Sequence, residues 1–178
     1  MFAARRWRAA RAEHDDVVRA SLEVLGRIPA ARWHEAPRPA GWSPAAVTLH
    51  LCQSYELSRA VVGGAPGMAL RVPRWRAWLL RTFLVPPLLA SRRFPRGARA
   101  PREVRPDAAE ASALGVEEGT RRLARAAADA ASALEQAATT GSRVRFTHAY
   151  FGALPPLTTL RVLSAHTRHH TRALSGVV

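Results

Sequence analysis

The 178-residue chain, 19.4 kDa, is the size of one domain, and 48% hydrophobic residues suffice for an ordinary core. Its single cysteine, Cys52, excludes an intramolecular disulfide framework and a Cys-rich zinc module; no stretch reaches the ~18 uncharged apolar residues of a membrane span, and the opening MFAARRWRAARAEHDD has no apolar signal core, so a reducing cytoplasm is expected. The formal charge of +14 comes wholly from arginine, 27 of them with no lysine; a GC-rich bacterial genome produces such an alanine- and arginine-rich chain whatever its function, and the arginines form no concentrated stripe, so a dedicated nucleic-acid role is not expected.

Residues 3–28 read as a first helix, with Val18, Leu22 and Leu25 on one face and Pro29 closing the run. Residues 29–42 hold three prolines and a glycine and read as a loop, with Trp33 and Trp42 pinning it to the rest of the molecule. Ser43-Pro44 is an N-cap followed by proline at the first helical position. It opens a second helix over about 44–62, whose stripe is Val47, His50, Ser54, Leu57 and Val61 and whose end is GGAPG.

Residues 68–106 are the least regular part. The apolar stretch AWLLRTFLVPPLLA carries Arg81 and is broken by Pro86-Pro87. It is flanked by Arg71, Arg74 and Arg76 on one side and Arg92, Arg93 and Arg96 on the other. Too short to cross a bilayer, it fits an insertion packed on the helices, a cover over a pocket, or a segment lying on a membrane surface. A third, alanine-rich helix is predicted over 107–139, with a break at Gly115 or Gly119 and a buried face of Leu123, Ala127, Ala130 or Ala131, and Leu134. A loop with a short extended piece leads to a last helix from Pro155 or Pro156 to about Leu174. The expected fold is all-α: a four-helix bundle forming a single domain over 1–178, with 68–106 as an irregular insertion between helices 2 and 3 and strand content near zero.

The residues that carry chemistry are histidines. His166 and His170 are four apart, so their rings lie on one helix face a turn apart, a spacing that suits two imidazoles on one divalent ion. His169 is about 100° around from His170 and is expected to face outward or a bundle edge. A mononuclear site usually needs three protein ligands, and the best third is His50, on the apolar stripe of helix 2. Three histidines from two helices leave an open position, the pattern of a catalytic ion. Spacing alone also admits core histidines satisfied by hydrogen bonds.

The segment GWSPAAVTLHLCQSYELS, with a tryptophan, a cap and then His50, resembles the second helix of the DinB-like family of four-helix-bundle metalloproteins. The pattern His166-Thr-Arg-His169-His170 resembles the family's H-x-x-H-H, and THAYFGALPPLTTLRVLSAHTRHH is similar to a branch with His-x-x-Phe-Gly before the last helix. The resemblance spans roughly residues 5–175 and implies His50, His166 and His170 as metal ligands. It departs from many relatives at Ala173, where they carry glutamine. It also implies a divalent transition metal (Zn, Ni, Fe or Cu all accept imidazole) and a small-molecule substrate. Characterised relatives include metal-dependent transferases of low-molecular-weight thiols, and homodimers are common.

The leading expectation is therefore a metal-dependent enzyme, a thiol transferase or a hydrolase. Gln53, Ser54, His148 and His169 are candidates to support the ligands. Cys52, two residues from His50, points elsewhere on the helix; His14 is expected in the core or on the surface, and His34 in a loop. Two rivals remain: a non-catalytic metal- or ligand-binding bundle, and a peripheral protein binding an anionic membrane or nucleic acid through residues 71–99.

Overall fold

Burial along the long helices fixes how the chain packs. The computed structural model describes residues 2–39, 41–91, 94 and 99–177, with the backbone alone for residues 2 and 3. Helix α1 (Phe2–Gly26) buries Trp7, Ala10, Val18 and Leu25. A 3-10 turn at Ala30–Arg32 follows. Helix α2 (Pro44–Val62) starts as its sequence dictates: the Ser43 side chain accepts from the Ala46 amide at 3.2 Å, and proline occupies the first turn. Residues 68–106 are more regular than their sequence suggests. They form α3 (Arg74–Leu79), a π turn (Leu80–Leu84), α4 (Val85–Ser91) and a 3-10 turn at Arg102–Val104. The pair Pro86-Pro87 stands directly after the π turn, within a helical run that is continuous from Arg74 to Ser91. Arg92, Arg93 and Arg96 lie outside the described residues.

The predicted third helix is two. Asp107 caps α5 (Ala108–Ala113) by accepting from the Ala109 and Glu110 amides. Leu114 and Gly115 are extended, and α6 (Val116–Thr139) begins afresh. Gly119 stays helical and buried because the Trp33 ring lies against it, 3.2 Å from where a Cβ would stand. Helix α6 buries Leu123, Ala126, Ala127, Ala130, Ala131 and Leu134. The small alanines let it pack closely on α2, and it also touches α1 and α7. Helix α7 (Pro156–Leu174) packs chiefly on α1. Ion pairs join elements distant in sequence, among them Arg11 of α1 with Glu135 of α6 at 3.3 Å. Arg122 of α6 grips Glu56 of α2 through two bonds of 2.7 and 2.9 Å and reaches Glu110 of α5; Arg168 of α7 meets Glu13 of α1 at 3.2 Å.

Strand content is not nil. Strands β1 (Phe146–His148) and β2 (Gly152–Leu154) pair antiparallel, Phe146 opposite Leu154 and His148 opposite Gly152. The physical reason is local. The backbone between two long helices needs partners, and His148 supplies them: its Nδ1 accepts from the Tyr150 and Phe151 amides, at 3.2 and 3.3 Å. The Phe151 ring stacks on the imidazole at 4.4 Å, and Gly152 takes the positive φ of 66° that closes the turn. Residues 67–71 run alongside β1: the Met68 amide donates to the Thr147 carbonyl and the Arg71 amide to that of Ala149. A Cβ at Gly67 would meet Thr147 at 2.9 Å, so only glycine allows that approach. The fold is thus mostly helical with a small two-stranded sheet. Among the described residues, no helix is long and apolar enough to cross a membrane.

Candidate metal centre

Helix α2 brings His50 to the interior, and α7 brings His166 and His170 on one face, one turn apart. The rings meet. His166 Nε2 lies 3.0 Å from His50 Nε2 and 3.0 Å from His170 Nε2, and all three donor nitrogens fall within 4.8 Å of one another. His50 is 3% exposed; the other two are half-buried.

The donor set can be tested for fit. The His50 Nδ1–H donates to the Val104 carbonyl at 2.6 Å, which fixes the tautomer and leaves Nε2 as a lone pair. A neutral ring nitrogen has one in-plane site, either a proton or a lone pair. His166 Nε2 therefore cannot make linear hydrogen bonds to both neighbours at 3.0 Å. Nor do the rings carry charge readily. Burial lowers the pKa of His50, against the opposing pull of the Val104 carbonyl. Burial, and then the neighbouring imidazoles, hold His166 and His170 well below the usual histidine range. Three neutral imidazoles facing one point suit a cation there. Tetrahedral bonds of about 2.0–2.1 Å would set the nitrogens about 3.3 Å apart, close to the spacing found. The residues present fit a transition-metal ion.

A cavity of about 640 Å³ reaches the cluster. Its apolar wall includes Trp42, Met68, Phe94 and Phe146, and exposed Arg38, Arg99 and Arg105 also line it. Among the described residues around it there is no carboxylate. The Trp42 ring lies 4.9 Å from that of His50 and nearly parallel to that of His170 at 6.5 Å.

The other candidates divide. His148 and His169 line the cavity, so His169 does not simply face outward; its ring lies 5.2 Å from that of His170 and 6.2 Å from that of Phe94. His148, pushed down to about 4 by burial, holds the hairpin turn through Nδ1. Ser54 lines the cavity, but its hydroxyl donates back to the His50 carbonyl one turn earlier. Gln53 does not line the cavity, and its Oε1 is buried without a hydrogen-bond partner. The group that supports His50 is instead the Val104 carbonyl, which sequence reasoning missed. A backbone oxygen has no side-chain signature; the one clue was that a buried histidine must find a partner somewhere. Trp42, expected to pin its loop, is also a wall of the site.

Cys52 is buried and its thiol is pushed up to about 12 by burial, so it is an inert core residue. His14 is fully buried against the Tyr55 ring, with Nδ1 3.1 Å from Asp15, and His34 is exposed. Trp33, 1% exposed, does pin its loop: its Nε1–H donates to the Leu114 carbonyl at 2.7 Å.

No curated protein and no solved structure matches the chain. The family model of the DinB superfamily matches residues 13–174, a span holding all three converging histidines and both helices that carry them. With nearly the whole chain covered by that match, this protein belongs to the DinB superfamily.

Proposed function

We propose that the chain is a metal-dependent enzyme acting on a small anionic molecule, with His50, His166 and His170 holding one divalent transition ion through Nε2. The meeting of three buried imidazole nitrogens from two helices carries this reading. Such an ion would supply Lewis acidity, which serves either hydrolysis or activation of a thiol. The cavity beside the cluster favours a catalytic over a closed structural site.

The chain's own groups have separable tasks. The Val104 carbonyl keeps His50 in the tautomer that offers Nε2. Trp42 and Phe94, in ring contact with the cluster, hold water away from it. His148, with Nδ1 occupied by two amides, presents Nε2–H as a donor toward a bound molecule. His169, half-buried, lines the cavity wall beside the His170 ring.

Three neutral ligands leave the charge of a divalent ion uncompensated, and no described carboxylate faces the cavity. An anionic donor such as a thiolate, with further contacts to Arg38, Arg99 or Arg105, balances that charge. Transfer of a low-molecular-weight thiol, which the family resemblance implies, is the first reaction to assay, and hydrolysis the second. We read α1, α2, α6 and α7 as the family's four-helix bundle in one domain, with 68–106 as its insertion.

Elemental analysis of protein purified without an affinity tag tests the centre. The expected result is close to one zinc, nickel, iron or copper ion per chain, lost in His50→Ala and His170→Ala while the helical signal stays. Thiol transfer or hydrolysis should vanish on chelation and return with the metal. Equal trace metal in wild type and variants would end this reading.

A further inference from the structure

Among the described residues, the exposed large hydrophobic side chains all fall between Leu70 and Phe83. Trp75 is 62% exposed, Trp78 52% and Phe83 67%, with Leu79 and Leu70 beside them. They are not scattered. Trp75, Trp78, Leu79 and Phe83 recur at steps of three, one and four along α3 and the π turn, and the Trp78 and Phe83 rings meet edge to face at 6.4 Å. The opposite side of the same segment is anchored: Ala77, Val85 and Leu88 are buried, the last two in a cluster with Phe151, Leu154 and Val162. A firmly held support therefore presents aromatic rings outward, which water does not favour unless something covers them.

Charge says what the cover is. Between Glu56 and Glu103 the sequence has ten arginines and no acidic residue. Arg71, Arg74 and Arg76 are exposed around the aromatic face, and the Arg76 guanidinium lies over the Trp75 ring at 5.8 Å. A second cavity, about 630 Å³, adjoins the segment. Arg81, Arg145 and Arg161 line it together with Val85, Pro86 and Leu89, and no carboxylate does so among the described residues. Tryptophan rings beside arginines, with an apolar cleft that carries three guanidinium groups, match the layering of a bilayer surface. The rings belong at the acyl–headgroup boundary, and the arginines reach the phosphates.

We propose that the α3–α4 face docks on an anionic lipid bilayer, with Trp75, Trp78 and Phe83 entering the interface and the Arg81–Arg145–Arg161 cleft receiving headgroup phosphate. The inference does not depend on the histidine cluster. It makes residues 68–91 a membrane-seating device on the DinB-superfamily chain.

The test is co-sedimentation of the full chain with phosphatidylcholine vesicles, with and without phosphatidylglycerol. Binding to the anionic vesicles should exceed binding to neutral ones tenfold or more. It should weaken strongly between ~0.1 M and ~1 M salt, as the screening length falls from about 10 Å to about 3 Å. The triple variant Trp75→Ser/Trp78→Ser/Phe83→Ser should lose at least tenfold in partitioning, with helical signal and metal content unchanged. Arg145→Gln/Arg161→Gln should lose about fivefold per arginine removed. The proposal is overturned if neutral and anionic vesicles bind alike or neither binds, or if the folded triple variant partitions as wild type. It is equally overturned if sedimentation shows the aromatic face joining two copies of the chain, or if duplex DNA, but not vesicles, is retained.

Discussion

Two tryptophan-bearing regions of this chain meet opposite fates. The loop before α2 carries Trp33 and Trp42, which turn inward: Trp33 is 1% exposed with its indole N–H paired, and Trp42 stands beside two of the histidines. The α3–α4 segment carries Trp75 and Trp78, which turn outward among arginines. The residue type is the same in both. What differs is what the helices offer. The Pro-rich loop lies over α6 and the end of α5, where Gly119 leaves room for a ring and the Leu114 carbonyl offers an acceptor. The α3–α4 segment already spends Ala77, Val85 and Leu88 on the hairpin and α7, so its other side has no remaining surface to cover. A tryptophan's location is set by the neighbour available to it, and an outward ring on a well-anchored helix marks an interaction surface.

The comparison can be broken in four ways. The largest effect belongs to the inner region: His170→Ala should lower metal affinity by at least about a hundredfold, because two imidazoles remain where three converged. Isothermal titration with zinc into chelator-treated protein reads this directly. Next, Trp33→Ala should cost roughly 3–5 kcal/mol in urea unfolding, the range for deleting a buried tryptophan, with the Leu114 carbonyl left unpaired as well. If Trp33→Ala unfolds like wild type, the inward tryptophan is no anchor.

A pH series sharpens the buried side further. His14 and His148 have folded-state pKa values below the ordinary 6.5, by burial. The unfolded chain then binds more protons than the folded one in the acid range. The stability these neutral rings contribute is complete above about 6.5 and is lost as pH falls toward 4. Urea midpoints of metal-free protein should decline across that window and stay flat from about pH 7 to 8. The smallest effect belongs to the outer region. Trp78→Ser should change unfolding free energy by less than about 0.5 kcal/mol, since a surface side chain has few partners to lose. A loss of several kcal/mol would mean the outer face is packed in solution after all.

Much of the scaffold was readable from local chemistry. Ser43-Pro44 marks the start of α2 and Pro156 that of α7 because each encodes its helix end within a few residues. The periodicity predicts a first helix to residue 28, two residues beyond the observed end of α1 at Gly26. The break at Gly115 was readable as a weak point, but not the choice between it and Gly119, which depends on a tryptophan 86 residues away in sequence. The sequence signals a short extended piece here but not its pairing into a hairpin, because the strands are too short for alternation to register. A side chain, His148, and a positive-φ glycine hold it together, not strand propensity. The helical turns in 68–106 were missed because prolines and arginines obscured an amphipathic pattern whose apolar side also faces outward.

By itself, then, the chain determined which histidines share a helix face, because 3.6-residue periodicity is local and places His166 over His170 whatever surrounds them. It also determined the absence of carboxylates from a long arginine-rich stretch. Only the tertiary structure decided that His50 joins the other two, that the Val104 carbonyl fixes its tautomer, and that Trp42 walls the cavity while Trp75 and Trp78 face away. Those outcomes depend on distances between segments 50 to 120 residues apart. Such distances are set by how buried faces pack together, and that information is not held in any one segment.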